Sequence, residues 1–235
     1  ERNIMKKLIQ FLLPLIISSQ LFAIAGFGLH LNRSMYSVAE TITPLTVEGV
    51  NVASITHHGF DNGFGIGGYL YIDAIPMVDV DIEAIMLLSP YEFSFSNQIP
   101  NAAINNKKFG WADFSGYFTL QKKLFKFSIP LLAKTKLTAG AGINLHSSIP
   151  MISQDMMESV MGTGNLVSGS LDTDELIKYL KDNKVSDTGF HIQTGLQFKI
   201  LMLDSFLYYR QVFADNVIPD AKGFGSLNLR LGMGF

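Results

Sequence analysis

The chain has 235 residues, a formal net charge of −2 and no cysteine. That charge leaves no nucleic-acid footprint, and the lack of thiols excludes a disulfide framework and any thiolate metal site. Apolar residues make up 48% of the sequence, yet beyond the amino-terminal stretch no apolar run is long enough for a spanning helix. The hydrophobicity is instead spread over short alternating segments.

Residues 5–25 read MKKLIQFLLPLIISSQLFAIA, with a basic pair at Lys6 and Lys7, an apolar stretch from Leu8 to Ile17 and a small-residue end. This three-part layout predicts a secretory signal peptide over residues 1–25, with Glu1 to Ile4 upstream of the initiator Met5. Its apolar core is well short of the ~20 residues that cross a bilayer as a helix.

Eight strands are predicted after it. In Gly26 to Arg33, Phe27, Leu29 and Leu31 alternate with Gly28, His30 and Asn32. In Gly63 to Ala74, Phe64, Ile66, Leu70 and Ile72 oppose Gly65, Gly67, Tyr69, Tyr71 and Asp73, and a tight Ile75-Pro76-Met77 turn follows. The third strand, Val78 to about Leu88, sets Asp79, Asp81 and Glu83 against Val80, Ile82 and Ala84. The fourth, Trp111 to about Lys123, sets Phe114, Phe118 and Leu120 against Ser115, Tyr117, Thr119 and Gln121. The fifth, Lys134 to His146, alternates in the same way, and Thr188–Lys199 and Asp204–Ala214 follow as sixth and seventh. The eighth is Gly223 to Phe235, in which Leu227, Leu229, Leu231, Met233 and Phe235 occupy every second position. A period of two with one apolar face, over the ~9–11 residues of a tilted membrane strand, suits a wall between hydrocarbon and a polar lumen.

The connections sort by length. If the first strand leaves the periplasm, the mostly short links 75–77, 124–133 and 200–203 fall on one side and the longer 34–62, 89–110, 147–187 and 215–222 on the other. The loop at about 147–187 carries two helix-like segments, Ser153 to Met161 and Thr173 to Lys181, each with a hydroxyl residue at its start and acids in its first turn. Met156, Met157, Val160 and Met161 give the first an apolar side, and Leu176, Ile177 and Leu180 the second. These faces either pack on each other and the rim as a cap, or form a methionine-lined hydrophobic site.

The aromatic terminus and strict alternation of the last strand resemble the closing strand of bacterial outer-membrane barrels. Over nearly the whole mature chain the pattern is similar to the OmpA/OmpX type, an all-β, eight-stranded antiparallel up-and-down transmembrane barrel, here with short helices in a long extracellular loop. The resemblance implies one barrel domain over 26–235 in the outer membrane of a Gram-negative cell envelope. It also implies a monomer in contact with lipid and lipopolysaccharide. During biogenesis it implies periplasmic chaperones and the barrel-assembly machinery, which reads the terminal strand. No cofactor is expected. The GFG triplets at Gly26, Gly63 and Gly223 open strands, placing Phe27, Phe64 and Phe224 for an interfacial aromatic girdle.

Chemistry is sparser. Asp79, Asp81 and Glu83 form an acidic ladder, and Lys136, Lys199, Arg210 and Arg230 supply cations that are too costly to leave on a lipid face. An eight-stranded interior is just wide enough for side chains to fill, so these groups predict a plug, with a cation-attracting constriction as the alternative. Gly63, Gly65 and Gly68 match G-x-G-x-x-G but open a strand rather than a helix, which excludes a dinucleotide site. Adjacent His57 and His58 point apart on an extended chain and lack further ligands. His146 and Ser148 share a face, and a His-x-Ser pair at a barrel rim resembles the lipid A deacylases, although no acid is identifiable. The leading function is a non-enzymatic structural or surface-interaction barrel. A conduit or binder for small or hydrophobic molecules comes second, and a rim lipid-modifying enzyme third.

Overall fold

A computed structural model describes residues 25–47, 50–73, 78–97, 103–129, 133–161 and 173–235. Apart from Ala25, the expected signal peptide lies outside the described residues, as does the Ile75-Pro76-Met77 turn. The strands are β1 (Ala25–Val38), β2 (Thr41–Val47), β3 (Val50–His57), β4 (Phe60–Ile72), β5 (Asp79–Asn97), β6 (Ile104–Ile129), β7 (Ala133–Ser148), β8 (Val185–Ile200), β9 (Leu203–Phe213) and β10 (Gly223–Gly234). The described helices are α1 (Gln154–Met161) and α2 (Thr173–Asp182).

Eight strands close into an antiparallel ring in the order β1-β4-β5-β6-β7-β8-β9-β10, with β10 returning to β1. The seam runs from Gly26 opposite Gly234 to Met35 opposite Gly225. At its foot the Phe235 amide donates to the Ala25 carbonyl at 2.9 Å, and the Ala25 amide donates to the Phe235 carbonyl at 3.1 Å. Following paired residues once around the ring from Ala25, through Ile72, Val80, Leu120, Ala141, Ile192, Gln211 and Gly225, returns to β1 at Met35, an offset of 10 residues. With ~3.3 Å per residue and ~4.8 Å between strands, that stagger over eight strands tilts them about 40° from the barrel axis.

The alternation separates two environments. On β1 Leu29 is 65% exposed while His30 is fully buried, and on β10 Leu231 is 50% exposed while Arg230 is fully buried. The exposed residues, among them Phe27, Phe64, Ile66, Phe118, Leu120, Ile143, Leu145, Leu207 and Leu227, form a continuous apolar exterior. A closed ladder with apolar residues outside and charges inside is a membrane-spanning barrel turned to face hydrocarbon. Glycine also leaves room where inward side chains converge. A Cβ on Gly234 would run into the Asp204 carboxylate and the Tyr71 hydroxyl.

Three expectations are corrected. Residues 34–62 are not a plain connection, because β2 and β3 form a hairpin within them. Beyond Leu88, where β4 stops pairing, β3 takes its place on β5 through Ala53–His57 opposite Phe93–Asn97. The strands also outrun the membrane. β5 and β6 stay paired out to Phe95 and Ile104, and β6 and β7 down to Ile129 and Ala133, so much of the links 89–110 and 124–133 is strand. Strand pairing is not confined to hydrocarbon, and the alternation Tyr91, Phe93, Phe95 continues because an apolar core lies there. Of the GFG phenylalanines, Phe27 and Phe64 face outward but Phe224 is 4% exposed and faces the lumen, stacked edge-on against Tyr36 and His146.

Leu29 sits on the lipid face beside Leu231. Leu29→Arg is expected to destabilise the barrel by ~2–4 kcal/mol, and deletion of Phe235 to lower the folded yield by opening the foot of the seam. Both are read as loss of the heat-modifiable gel form after refolding into lipid; unchanged folded fractions would contradict the assignment of the exterior.

Candidate functional site

The inward residues meet in three tiers. In the middle tier Arg210 on β9 reaches β5, the opposite strand of the ring, and its Nη2 donates to both Glu83 oxygens at 2.6 and 2.7 Å. Arg230 on β10 donates from Nη1 to Asp81 at 2.7 Å and from Nη2 to Glu83. The Tyr208 hydroxyl donates to Glu83 at 3.1 Å and accepts from Arg230 Nε at 3.0 Å. Gln193 accepts from Arg210 Nε at 2.9 Å, and Gln121 donates to Asp81. His30 Nδ1 lies 3.2 Å from Glu83, and the Arg210 guanidinium stacks 3.9 Å above the Tyr117 ring. Both arginines are fully buried. Two guanidinium charges face two carboxylates, so the tier is electrically balanced and bridged from wall to wall.

The lower, periplasmic tier holds Asp79, Lys136 and Lys199, apart from the central pair. Lys123 engages Asp73 and, at 3.1 Å, Asp79. Lys136 donates to Asp73 at 2.8 Å, and Lys199 lies 3.7 Å from Asp204, which also accepts from Tyr71 at 2.5 Å. Asp204, Lys123, Tyr208, Gln193 and His30 were not among the residues singled out from the sequence. Their inward parity was readable, but which rungs meet depends on the 10-residue stagger.

The upper tier contains His146 and Ser148. An acid does stand beside them: Asp113 on β6 is 2.8 Å from His146 Nδ1 and accepts from Ser115 at 2.5 Å. Ser148 donates to the same Asp113, at 3.4 Å, and not to the imidazole. His146 Nε2, where a nucleophile would have to sit, has no hydrogen-bond partner and is packed among the rings of Tyr117 and Phe224. The His146 and Asp113 side chains have no exposed surface. Base and orienting acid are assembled, but Ser148 bonds the acid instead of the imidazole, and the pair has no exposed surface for a substrate to reach.

Above the rim stands the outer cap. Ile55, Phe93 and Phe95 on one face of β3 and β5 are almost fully buried, and so are Met156, Met157 and Val160 on α1. Leu176, Tyr179 and Leu180 of α2 pack against the same core. Ser153 caps α1 by accepting from the Met156 amide at 3.2 Å, and the Asn183 side chain donates to the Tyr179 carbonyl at the end of α2. The Met161 side chain lies outside the described residues. Between these elements an apolar cavity of about 90 Å3 remains. His57 ties the hairpin to the cap through the Ile152 carbonyl, whereas His58 turns to Glu40 and Ser94, both at 3.0 Å. Among the described residues no group of three or more His, Cys, Asp and Glu is placed to hold a metal ion. Gly63, Gly65 and Gly68 lie inside β4 with no helix behind them.

A scan of protein-family models gives no match, and a search of curated proteins gives none either. Solved structures resemble the chain at low identity. The amino-terminal β-barrel domain of Pseudomonas aeruginosa OprF has 8% identity and a TM-score of 0.41, covering 89% of this chain and 99% of that one. The outer-membrane protein OprG of the same organism has 9% identity and a TM-score of 0.40, covering 88% and 96%. Ail, the attachment invasion locus protein of Yersinia pestis, has 12% identity and a TM-score of 0.34, covering 90% and 97%. At these scores the likeness adds no weight of its own. The architecture of a small outer-membrane barrel rests on the ring, its register and its apolar exterior.

Two outcomes follow from the geometry. Glu83→Gln leaves the buried Arg210 guanidinium without a charge partner, Arg230 keeping Asp81, and is expected to cost about 3–5 kcal/mol. Glu83→Leu combined with Arg210→Leu removes one charge of each sign and is expected to recover most of that loss. Urea unfolding in detergent tests both, and a double variant no better than the single one would contradict the pairing. For the cap, burial lowers the His57 pKa, partly offset by its hydrogen bond to Ile152. The undocked hairpin therefore binds more protons below about pH 6.5, and cap stability falls as pH drops from there toward the docked value. Proteolysis of residues 41–57 should be faster at pH 5 than at pH 8, a difference that His57→Gln should erase.

Proposed function

We propose that this chain is a non-enzymatic outer-membrane barrel whose transmembrane part serves as a sealed anchor and whose outer cap is the interacting surface. The observation that carries this reading is the middle tier, where Arg210 spans from β9 to Glu83 on β5 and Arg230 closes the remaining gap to Asp81. A lumen crossed by balanced ion pairs offers a permeating cation no uncompensated carboxylate in this tier. That favours a plug over a cation-selective constriction.

The enzyme reading loses support on geometry, because Ser148 and His146 share Asp113 without sharing a proton path. In this proposal the protein is a monomer held by outer-membrane lipid and lipopolysaccharide, and it reaches the membrane through periplasmic chaperones and the barrel-assembly machinery. What remains for function is the cap, where β3, the outer ends of β5 and β6, and both helices pack an apolar core that continues from the upper end of the bore, with β2 paired along the outer edge of β3.

The test is direct. Purified protein in planar bilayers should show little steady conductance, lipopolysaccharide should lose no acyl chain on incubation with it, and cell fractionation should place it in the outer membrane. A large cation-selective current that disappears when Asp79, Asp81 and Glu83 are replaced by Asn or Gln would make these carboxylates a selectivity element instead.

A further inference from the structure

The cavity in the outer cap belongs neither to the lumen network nor to the barrel wall. Phe93 and Phe109 line it from the sheet, Met156, Met157 and Val160 from α1, and Leu176 from α2. At ~30 Å3 for a water-sized group, about 90 Å3 takes roughly three methylene-sized groups. Apolar walls offer water few partners there, and flexible thioethers adapt to an aliphatic chain.

Among the described lining residues, Lys107 and Lys108 are the ones with polar side chains. Their register separates them. Lys107 is paired directly with Phe93 and so leaves the sheet on the same face as that ring, whereas Lys108 is paired with Glu92 on the other face. Lys107 lines the cavity and is exposed, the arrangement in which a lysine lays its stem on apolar surface and keeps its ammonium group in water. An apolar hole with one cation at its edge is complementary to an aliphatic tail that ends in an anion.

We propose that this cavity is a binding site for a short straight-chain carboxylate of about six carbons, with the terminal methylenes inside and the carboxylate paired with Lys107. The site is independent of whether the lumen conducts. Each buried methylene is worth about fourfold in affinity, and a water-exposed ion pair up to about fivefold. The tail therefore sets most of the binding, and Lys107 sets the preference for anions.

The full-length protein, in lipid nanodiscs and labelled at the methionine methyl groups with carbon-13, is titrated with hexanoate, hexanol and hexylamine at fixed lipid concentration. Saturable shifts of the Met156 and Met157 methyls are expected with hexanoate, at several-fold lower concentration than with hexanol and lower still than with hexylamine. Lys107→Gln should raise the hexanoate Kd about two- to fivefold, to the hexanol value, and leave hexanol binding unchanged. Val160→Phe, which fills the cavity, should remove the response to all three while the heat-modifiable gel form persists. The proposal is overturned if hexanoate gives no saturable shift at these methyls, if Lys107→Gln leaves its Kd unchanged, or if the Val160→Phe protein still binds.

Discussion

A polypeptide surrounded by hydrocarbon has no water to satisfy its peptide groups, so each unpaired N–H or C=O costs several kcal/mol. In this chain the debt is met at the β10–β1 seam, where the last strand lies against the first and Phe235 exchanges hydrogen bonds with Ala25. The other features depend on that closure. Eight strands with a 10-residue stagger leave an interior of side-chain width, and every second residue is forced into it. Once inside, a charge must find a partner or lose its ionisation, and the tiers around Glu83, Asp204 and Asp113 are the set of partnerships the bore allows.

Parity was legible in the sequence because it is local. A period of two is written into each strand, so the inward set Asp79, Asp81, Glu83, Arg210 and Arg230 and the outward set Leu227, Leu231 and Met233 could be read without knowing any pairing. Height was not legible. Whether Lys136 meets Asp81 or Asp73 depends on the stagger between strands, a property of the closed ring that no single segment records. For the same reason Asp113 could not be named as the neighbour of His146. The β2–β3 hairpin was missed for a different reason. Thr41–Val47 is rich in β-branched residues but carries Pro44 and lacks a clean apolar face, because it is an edge strand beyond the membrane with no lipid to impose the pattern.

The molecule thus follows two packing regimes in one sheet. Within the bilayer the barrel is inside out, polar in the middle and apolar at the skin. On β5 the inward row turns apolar at Ile85 and Leu87 and, past Leu88, where the partner strand changes from β4 to β3, continues through Ser89 to Tyr91, Phe93 and Phe95. The cap is built as a water-soluble domain is, with a greasy centre beneath helices whose outer faces carry charge. Its stability comes from apolar burial, whereas the lumen relies on satisfied polar contacts, so solvent conditions that weaken one need not weaken the other.

The interior charges are also ordered along the chain. Asp73, Asp79, Asp81, Glu83 and Asp113 come first, and Lys123, Lys136, Lys199, Arg210 and Arg230 come later, with Asp204 alone out of sequence. The partners in the middle tier are 127 and 149 residues apart. An incomplete sheet ending at β5 therefore presents a row of acids to water, a comfortable state for carboxylates and a poor one to bury. Lys123 and Lys136 on β6 and β7 meet Asp73 and Asp79, but the cations that neutralise Asp81 and Glu83 arrive with the final hairpin, which is also the one that closes the seam. Sealing the backbone and neutralising the central acids therefore depend on the same two strands.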